Sequence, residues 1–153
     1  MISIKDAINS GTWLNRKYID NSNQSFHFGL KILSFRKLNL MEVDNPEKID
    51  LKDEGTIIVI LDIEVVNMTK EPLSTSELNQ LVLIDQDGFK FHVFDNDHLR
   101  YYSKFAEKSK MKRLYGSLLI PKIKAVSAVP FQLPDDDEAV YSISVKNGSI
   151  KEA

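Results

Sequence analysis

Strict alternation marks the segment from Thr56 to Asn67, TIIVILDIEVVN. Ile57, Val59, Leu61, Ile63 and Val65 form an unbroken apolar face at period two. The other face begins apolar with Ile58 and Ile60 and turns polar at Asp62 and Glu64. Side chains branched at Cβ suit a pleated surface and lose rotamer freedom in a helix. The pattern therefore predicts a central strand, covered on both faces in its first half and on one in its second. The polar tract after Asn67, ending in Pro72, closes it.

The rest of the chain can be placed around this strand. Ser3 and Asp6 have capping-box spacing, Ile4, Ala7 and Ile8 recur at helical spacing, and Gly11 can end the turn, which predicts one short helix. Helix and loop fill residues 1–25, with a polar loop at 20–25. Phe26, Phe28, Leu30 and Ile32 then alternate with polar or small residues, and the phase switches at Ile32-Leu33 so that Phe35 continues the other one. A β-bulge or a change of sheet would produce that switch. Residues 42–55 are charged and read as a solvated loop.

Downstream, residues 73–78 suggest a helical turn. Gln80–Ile84 and the alternating Phe89, Phe91 and Val93 flank Asp87-Gly88, which is the signature of a β-hairpin. Residues 95–113 read as a short helix or a long loop. Leu114–Ile120 and Lys124–Pro134 are strands, and Pro130 marks the latter as an edge strand or a bulged one. Asp135–Glu138 is an acidic turn. Tyr141, Ile143 and Val145 form the last strand, ended by Asn147-Gly148. About seven short strands in one domain, 1–153, with the sheets at 26–147, indicate an all-β antiparallel sandwich.

Composition narrows function by exclusion. Twenty basic and 22 acidic residues give a net charge of −2, which offers no electrostatic reason to expect nucleic acid or an anionic membrane as a partner. No cysteine is present, so disulfides, thiol catalysis and cysteine-ligated metals are excluded together. No apolar run approaches the ~18 residues of a membrane span. The first residues lack the apolar core of an export leader, so the expected location is cytoplasmic, or extracellular if a leader has been removed. Neither a Gly-x-Ser-x-Gly elbow nor a Gly-rich phosphate loop occurs. An enzyme is not expected, and no cofactor is called for.

Three segments, IVILDIEVVNMTKEPL, LNQLVLIDQDGFKF and LLIPKIKAVSAVPFQLPDDDEAVYSISV, resemble in their order and spacing the DUF4352 domain. That family is an immunoglobulin-like (telokin-like) sandwich common in bacterial surface and secreted proteins. The likeness runs from about residue 56 to 147. The family usually has glycine after the turn proline, where this chain has Lys122, and usually carries an export signal. The resemblance implies an immunoglobulin-like β-sandwich and no chemistry.

Candidate sites are few. Asp85-Gln-Asp87-Gly88 resembles the start of a calcium loop, but Phe89–Phe94 fills the place of the remaining ligands, so it reads as a hairpin turn. Asp135, Asp136, Asp137 and Glu138 read as a solvated acidic turn. His27, His92 and His98 lack metal-ligand spacing and read as surface histidines. Trp13 reads as tucked into the edge of the core, with a ligand platform as the functional alternative. The basic and aromatic stretch around Arg100 and Lys104, with Tyr101, Tyr102, Phe105, Lys108, Lys110, Lys112 and Arg113, is the candidate binding patch. Near-neutral overall charge makes another protein its expected partner. The function expected is a non-catalytic protein-interaction module. The alternative is a small-ligand or carbohydrate binder stacking on Trp13 and Tyr101 or Tyr102.

Overall fold

A computed structural model describes residues 2–19, 23–38, 55–94, 117–146 and 149–152. One helix, α1 (Ile4–Ser10), precedes strands β1 (Trp13–Ile19), β2 (Ser25–Lys37) and β3 (Thr56–Asn67). Strand β4 (Leu73–Ser74), a 3-10 helix (Thr75–Gln80), β5 (Leu81–Ile84) and β6 (Lys90–His92) follow. The chain continues through β7 (Leu118–Leu119), β8 (Lys124–Pro134), β9 (Ser142–Val145) and β10 (Ser149–Glu152). These strands form antiparallel sheets in the orders β10-β1-β2-β3-β8, β6-β5-β9 and β4-β7. The core lies between the five-stranded layer and the two smaller sheets. Phe28, Leu30, Leu61, Ile63, Val129 and Phe131 meet Leu78, Leu81, Leu83, Leu119 and Ile143 there.

β3 occupies the predicted place, paired with β2 on one side and β8 on the other. Val59, Leu61, Ile63 and Val65 face the core, and Ile58 and Ile60 on the other face are buried too. That second face also buries Asp62, which accepts hydrogen bonds from the Ser34 hydroxyl and from Arg36 Nε at 2.8 Å. The expected phase switch in β2 is a bulge. Ile32 opposes Ile63 and Ser34 opposes Asp62, leaving Leu33 as the extra residue. Phe35 is thereby returned to the core side, and Ser34 and Arg36 reach Asp62.

Helix α1 has the predicted caps. Ser3 Oγ accepts from the Asp6 amide, and Gly11 closes the last turn in the left-handed region at φ 63°. Ile4 and Ala7 are buried by it. β8 is an edge of the large sheet among the described strands. The Phe94 amide donates to Pro130 O at 2.8 Å, and Val93 bridges to Phe131, so the segment after β6 joins the two layers. In the hairpin, Asp85 Oδ1 accepts from the Asp87 and Phe89 amides, and Gly88 takes φ 88°.

The structure corrects the sequence reading at several points. The first 25 residues are not only helix and loop, because β1 lies within them. Its core-facing phase is Leu14, Arg16 and Tyr18, and the arginine hides the alternation. The sandwich also continues past residue 147 into β10, which pairs with β1. Ten strands occur among the described residues, where about seven were expected. Phe89 lies outside β6 and is exposed rather than on an inner phase. Trp13 does not enter the core. It belongs to the outer face of the large sheet, opposite in phase to the buried Leu14.

Tyr141 is buried, with its ring edge-on to Phe35 and Phe91 at centroid distances of 5.9 and 5.8 Å. Burial raises its pKa above the ordinary 10, and Asp85 and Asp136 add to the shift. The unfolded phenol ionises near its ordinary value, so this contribution to stability is intact below pH 10 and is lost as pH rises from there to the raised native value. Chemical denaturation across pH 9–11.5 is expected to show a smaller alkaline loss of stability in Tyr141→Phe than in the wild type. Equal losses would mean that Tyr141 ionises as freely in the fold as outside it.

Candidate functional site

One end of the sandwich is organised around the side chain that terminates β3. Asn67 is fully buried. Its Nδ2 donates to Glu71 O at 2.8 Å and to Leu119 O at 2.9 Å, and its Oδ1 accepts from the Thr69 amide at 2.8 Å. Asn67 O accepts from the Lys122 amide at 2.9 Å. An amide side chain both donates and accepts, so it can close a strand and fasten a distant turn at once. β2 is tied to the same corner. Thr69 Oγ1 accepts from the His27 amide and donates to His27 O, and the Met68 amide also donates to His27 O.

The turn fastened by Asn67 runs from Ile120 to Ile123, with the Ile123 amide donating to Ile120 O. Within it Lys122 has φ 69°, in the left-handed region that favours glycine. This is the position where the DUF4352 pattern has glycine. Leu119 faces the core, so its neighbours face outward. Leu118 is 56% exposed, Ile120 54% and Ile123 57%. These three exposed aliphatic side chains, on and beside one hydrogen-bonded turn, make an apolar ridge along the chain. Met68 beside Asn67 is also exposed. Beyond it an open cleft of about 320 Å3 is lined by Phe26, His27, Met68, Thr69, Lys70 and Glu71, among others.

The outer face of the large sheet adjoins this end. Trp13 rests over Gly29, its Cε3 3.6 Å from where a Cβ would stand. Lys124 Nζ lies 5.5 Å from the Trp13 ring centroid and 3.6 Å from Glu64 Oε1. The indole thus packs against the sheet at Gly29 and against the Lys124 ammonium. His27 Nε2 lies 3.3 Å from Asn15 Oδ1. Burial lowers the His27 pKa below its ordinary value, with Lys17 contributing. The expected surface histidine is thus half-buried at the sheet face, beside Asn15.

Other expected sites resolve into turn structure. Asp85 spends its carboxylate on its own hairpin, and Asp136 accepts from the Glu138 amide. Asp135 and Asp137 lie 4.0 and 3.8 Å from Lys37 Nζ. His92 is exposed on β6. No cluster of three or more His, Asp or Glu side chains suited to a metal occurs among the described residues. The binding patch expected at Tyr101, Tyr102, Phe105, Lys108, Lys112 and Arg113, with Arg100, Lys104 and Lys110, lies outside the described residues, as does His98. The aliphatic ridge was missed because Leu118 and Ile120 read as strand interior. The available signal was LLIPKI, where apolar residues occupy both phases around a proline.

Comparison places the molecule in a structural class. No family model matches the chain, and no curated protein matches it. Among solved structures, the secreted protein MPT63 from Mycobacterium tuberculosis has a TM-score of 0.54 at 11% identity, over 91% of this chain and 92% of its own. A conserved hypothetical protein from Bacillus anthracis has a TM-score of 0.52 at 16% identity, over 90% of this chain and 96% of its own. At such identities the likeness is one of fold, and that fold is an antiparallel β-sandwich. No helix among the described residues is long and apolar enough to cross a membrane.

The corner yields two stability predictions. Asn67→Ala removes the buried hydrogen bonds to Glu71 O, Leu119 O and the Thr69 amide and is expected to cost roughly 2–3 kcal/mol in denaturant unfolding. A cost below 0.5 kcal/mol, on the order of an ordinary surface change, would show that the corner does not depend on this side chain. Lys122→Gly relieves left-handed strain of ~1–2 kcal/mol but adds unfolded-chain freedom, for an expected net gain of about 0.5–1 kcal/mol. A loss of stability would show that the Lys122 side chain contributes more than its backbone strain costs.

Proposed function

We propose that this chain is a non-catalytic protein-interaction module of DUF4352 type, which binds another protein through the corner built on Asn67. The observation that carries the reading is the ridge of Leu118, Ile120 and Ile123, three aliphatic side chains each more than half exposed around a turn held by buried hydrogen bonds. Apolar side chains on a rigid turn bind with little ordering cost. The family assignment is supported by the left-handed Lys122, which has the backbone that a glycine would take. The basic and aromatic stretch from Tyr101 to Arg113 precedes β7 in the chain and is part of the same proposal. Near-zero net charge argues for protein over nucleic acid as the partner. Without cysteine the sandwich needs no oxidising compartment, so the proposal accommodates an extracellular setting, like that of MPT63, as well as a cytoplasmic one.

The test is affinity capture from host lysate with the wild type, with Ile120→Asp/Ile123→Asp, and with Tyr101→Ala/Tyr102→Ala/Phe105→Ala. A partner kept by the wild type and lost by the folded aspartate variant supports the ridge. Loss only with the aromatic variant moves the interface to residues 101–105, and retention by both variants overturns the reading. A second reading, a small-ligand or carbohydrate binder, draws on the cleft beside Phe26 and Met68, whose volume lies at the lower end of the range for ligand sites. Stabilisation of the wild type by a saccharide in a thermal-shift screen would favour it.

A further inference from the structure

Arg16 is the anomaly of the core. On β1 it opposes Phe28 of β2 and Ile150 of β10, and its side chain is fully buried. A guanidinium carries five N–H donors and no acceptor. Nε, Nη1 and Nη2 all lack a hydrogen-bond partner among the described residues. Aromatic faces surround the charge instead, with Cζ 4.4 Å from the Tyr18 centroid and 5.9 Å from that of Phe28. Such contacts offset part of the cost of desolvating the cation but give its N–H groups nothing to bond. Glu77, on the 3-10 helix, acts on Arg16 through its charge, but its carboxylate accepts a hydrogen bond from the Tyr18 hydroxyl.

A fully buried donor fork without an acceptor is costly, and buried polar groups in native proteins nearly always have a partner. The missing partner has a definable chemistry. The planar fork matches the two oxygens of a carboxylate in a bidentate pair. The nearby charge of Glu77 disfavours a doubly charged phosphate more than a singly charged ion. Tyr18, the aromatic ring closer to the guanidinium, is only half-buried and is stacked on Phe26 at 4.7 Å. Its hydroxyl could serve an incoming carboxylate once released from Glu77.

We propose that Arg16 anchors a closed binding site for a small monocarboxylate, entered by displacement of Tyr18 from Glu77. Glu77 is the gatekeeper, because its charge opposes the ligand and its hydrogen bond holds Tyr18 in place. This site is independent of the ridge at the Asn67 corner, so neither proposal depends on the other.

The experiment is thermal unfolding of the full chain in sodium acetate and sodium formate at ionic strength held constant with sodium chloride, with phosphate in parallel. The wild type is expected to show a saturable rise of about 3 °C or more in acetate or formate. Glu77→Gln should bind about tenfold more tightly, since a nearby like charge is removed. Arg16→Met, which replaces a buried charge by an apolar chain of similar length, should fold and show no carboxylate effect. The proposal is overturned if acetate and formate act no differently from chloride, or if Arg16→Met keeps the shift. Weaker binding in Glu77→Gln would also overturn it, by showing that Glu77 assists the ligand. A larger shift in phosphate than in acetate would overturn the carboxylate assignment.

Discussion

The burial of β3 on both faces is the constraint that shapes the rest of the molecule. A strand covered on one side can carry polar residues on the other without consequence. β3 cannot, because its second face also buries Asp62. A carboxylate removed from water needs donors, and β2 supplies Ser34 and Arg36. They arrive there only because β2 has one residue more than its partner at Leu33. Without that bulge, period-two alternation would send Arg36 into the core and Phe35 to the outside. The irregularity in β2 and the buried acid in β3 are one solution seen from two strands.

The same logic governs the end of β3. A strand that stops inside a protein leaves backbone groups that need partners. Asn67 supplies them from its side chain and fixes the turn before β8 as it does so. That turn lies outside the core, and tightening it forces Leu118, Ile120 and Ile123 outward. Exposed aliphatics here are a by-product of a well-satisfied interior, and such surfaces are readily recruited for recognition.

Much of the fold was legible where one physical rule acted alone. β3 and β8 were read at their observed limits because β-branched alternation and proline have few competing explanations. The hairpin at Asp87-Gly88 and the caps of α1 were equally local. β1 was obscured because Arg16 occupies an inward position, and pattern reading places arginine outside. β10 was missed because four residues after an Asn-Gly stop have no pattern of their own and exist as a strand only through pairing with β1. The candidate site was less legible than the fold. Exposure of Ile120 and Ile123 depends on a left-handed lysine, and no spacing rule anticipates lysine there. The packing of Trp13 over Gly29 depends on register between strands that sequence alone did not pair.

The pairing of β1 with β10 also sets an order of events. Leu14 lies opposite Glu152, the largest sequence separation among the described strand pairings. A ribosome releases β10 long after β1, so β1 waits through all the intervening strands before this neighbour exists. Through that interval β2 alone can hold it, and its other edge stays open to any extended segment that arrives first. Completion of the large sheet is therefore a late step, governed by closure of the longest loop between described strand partners.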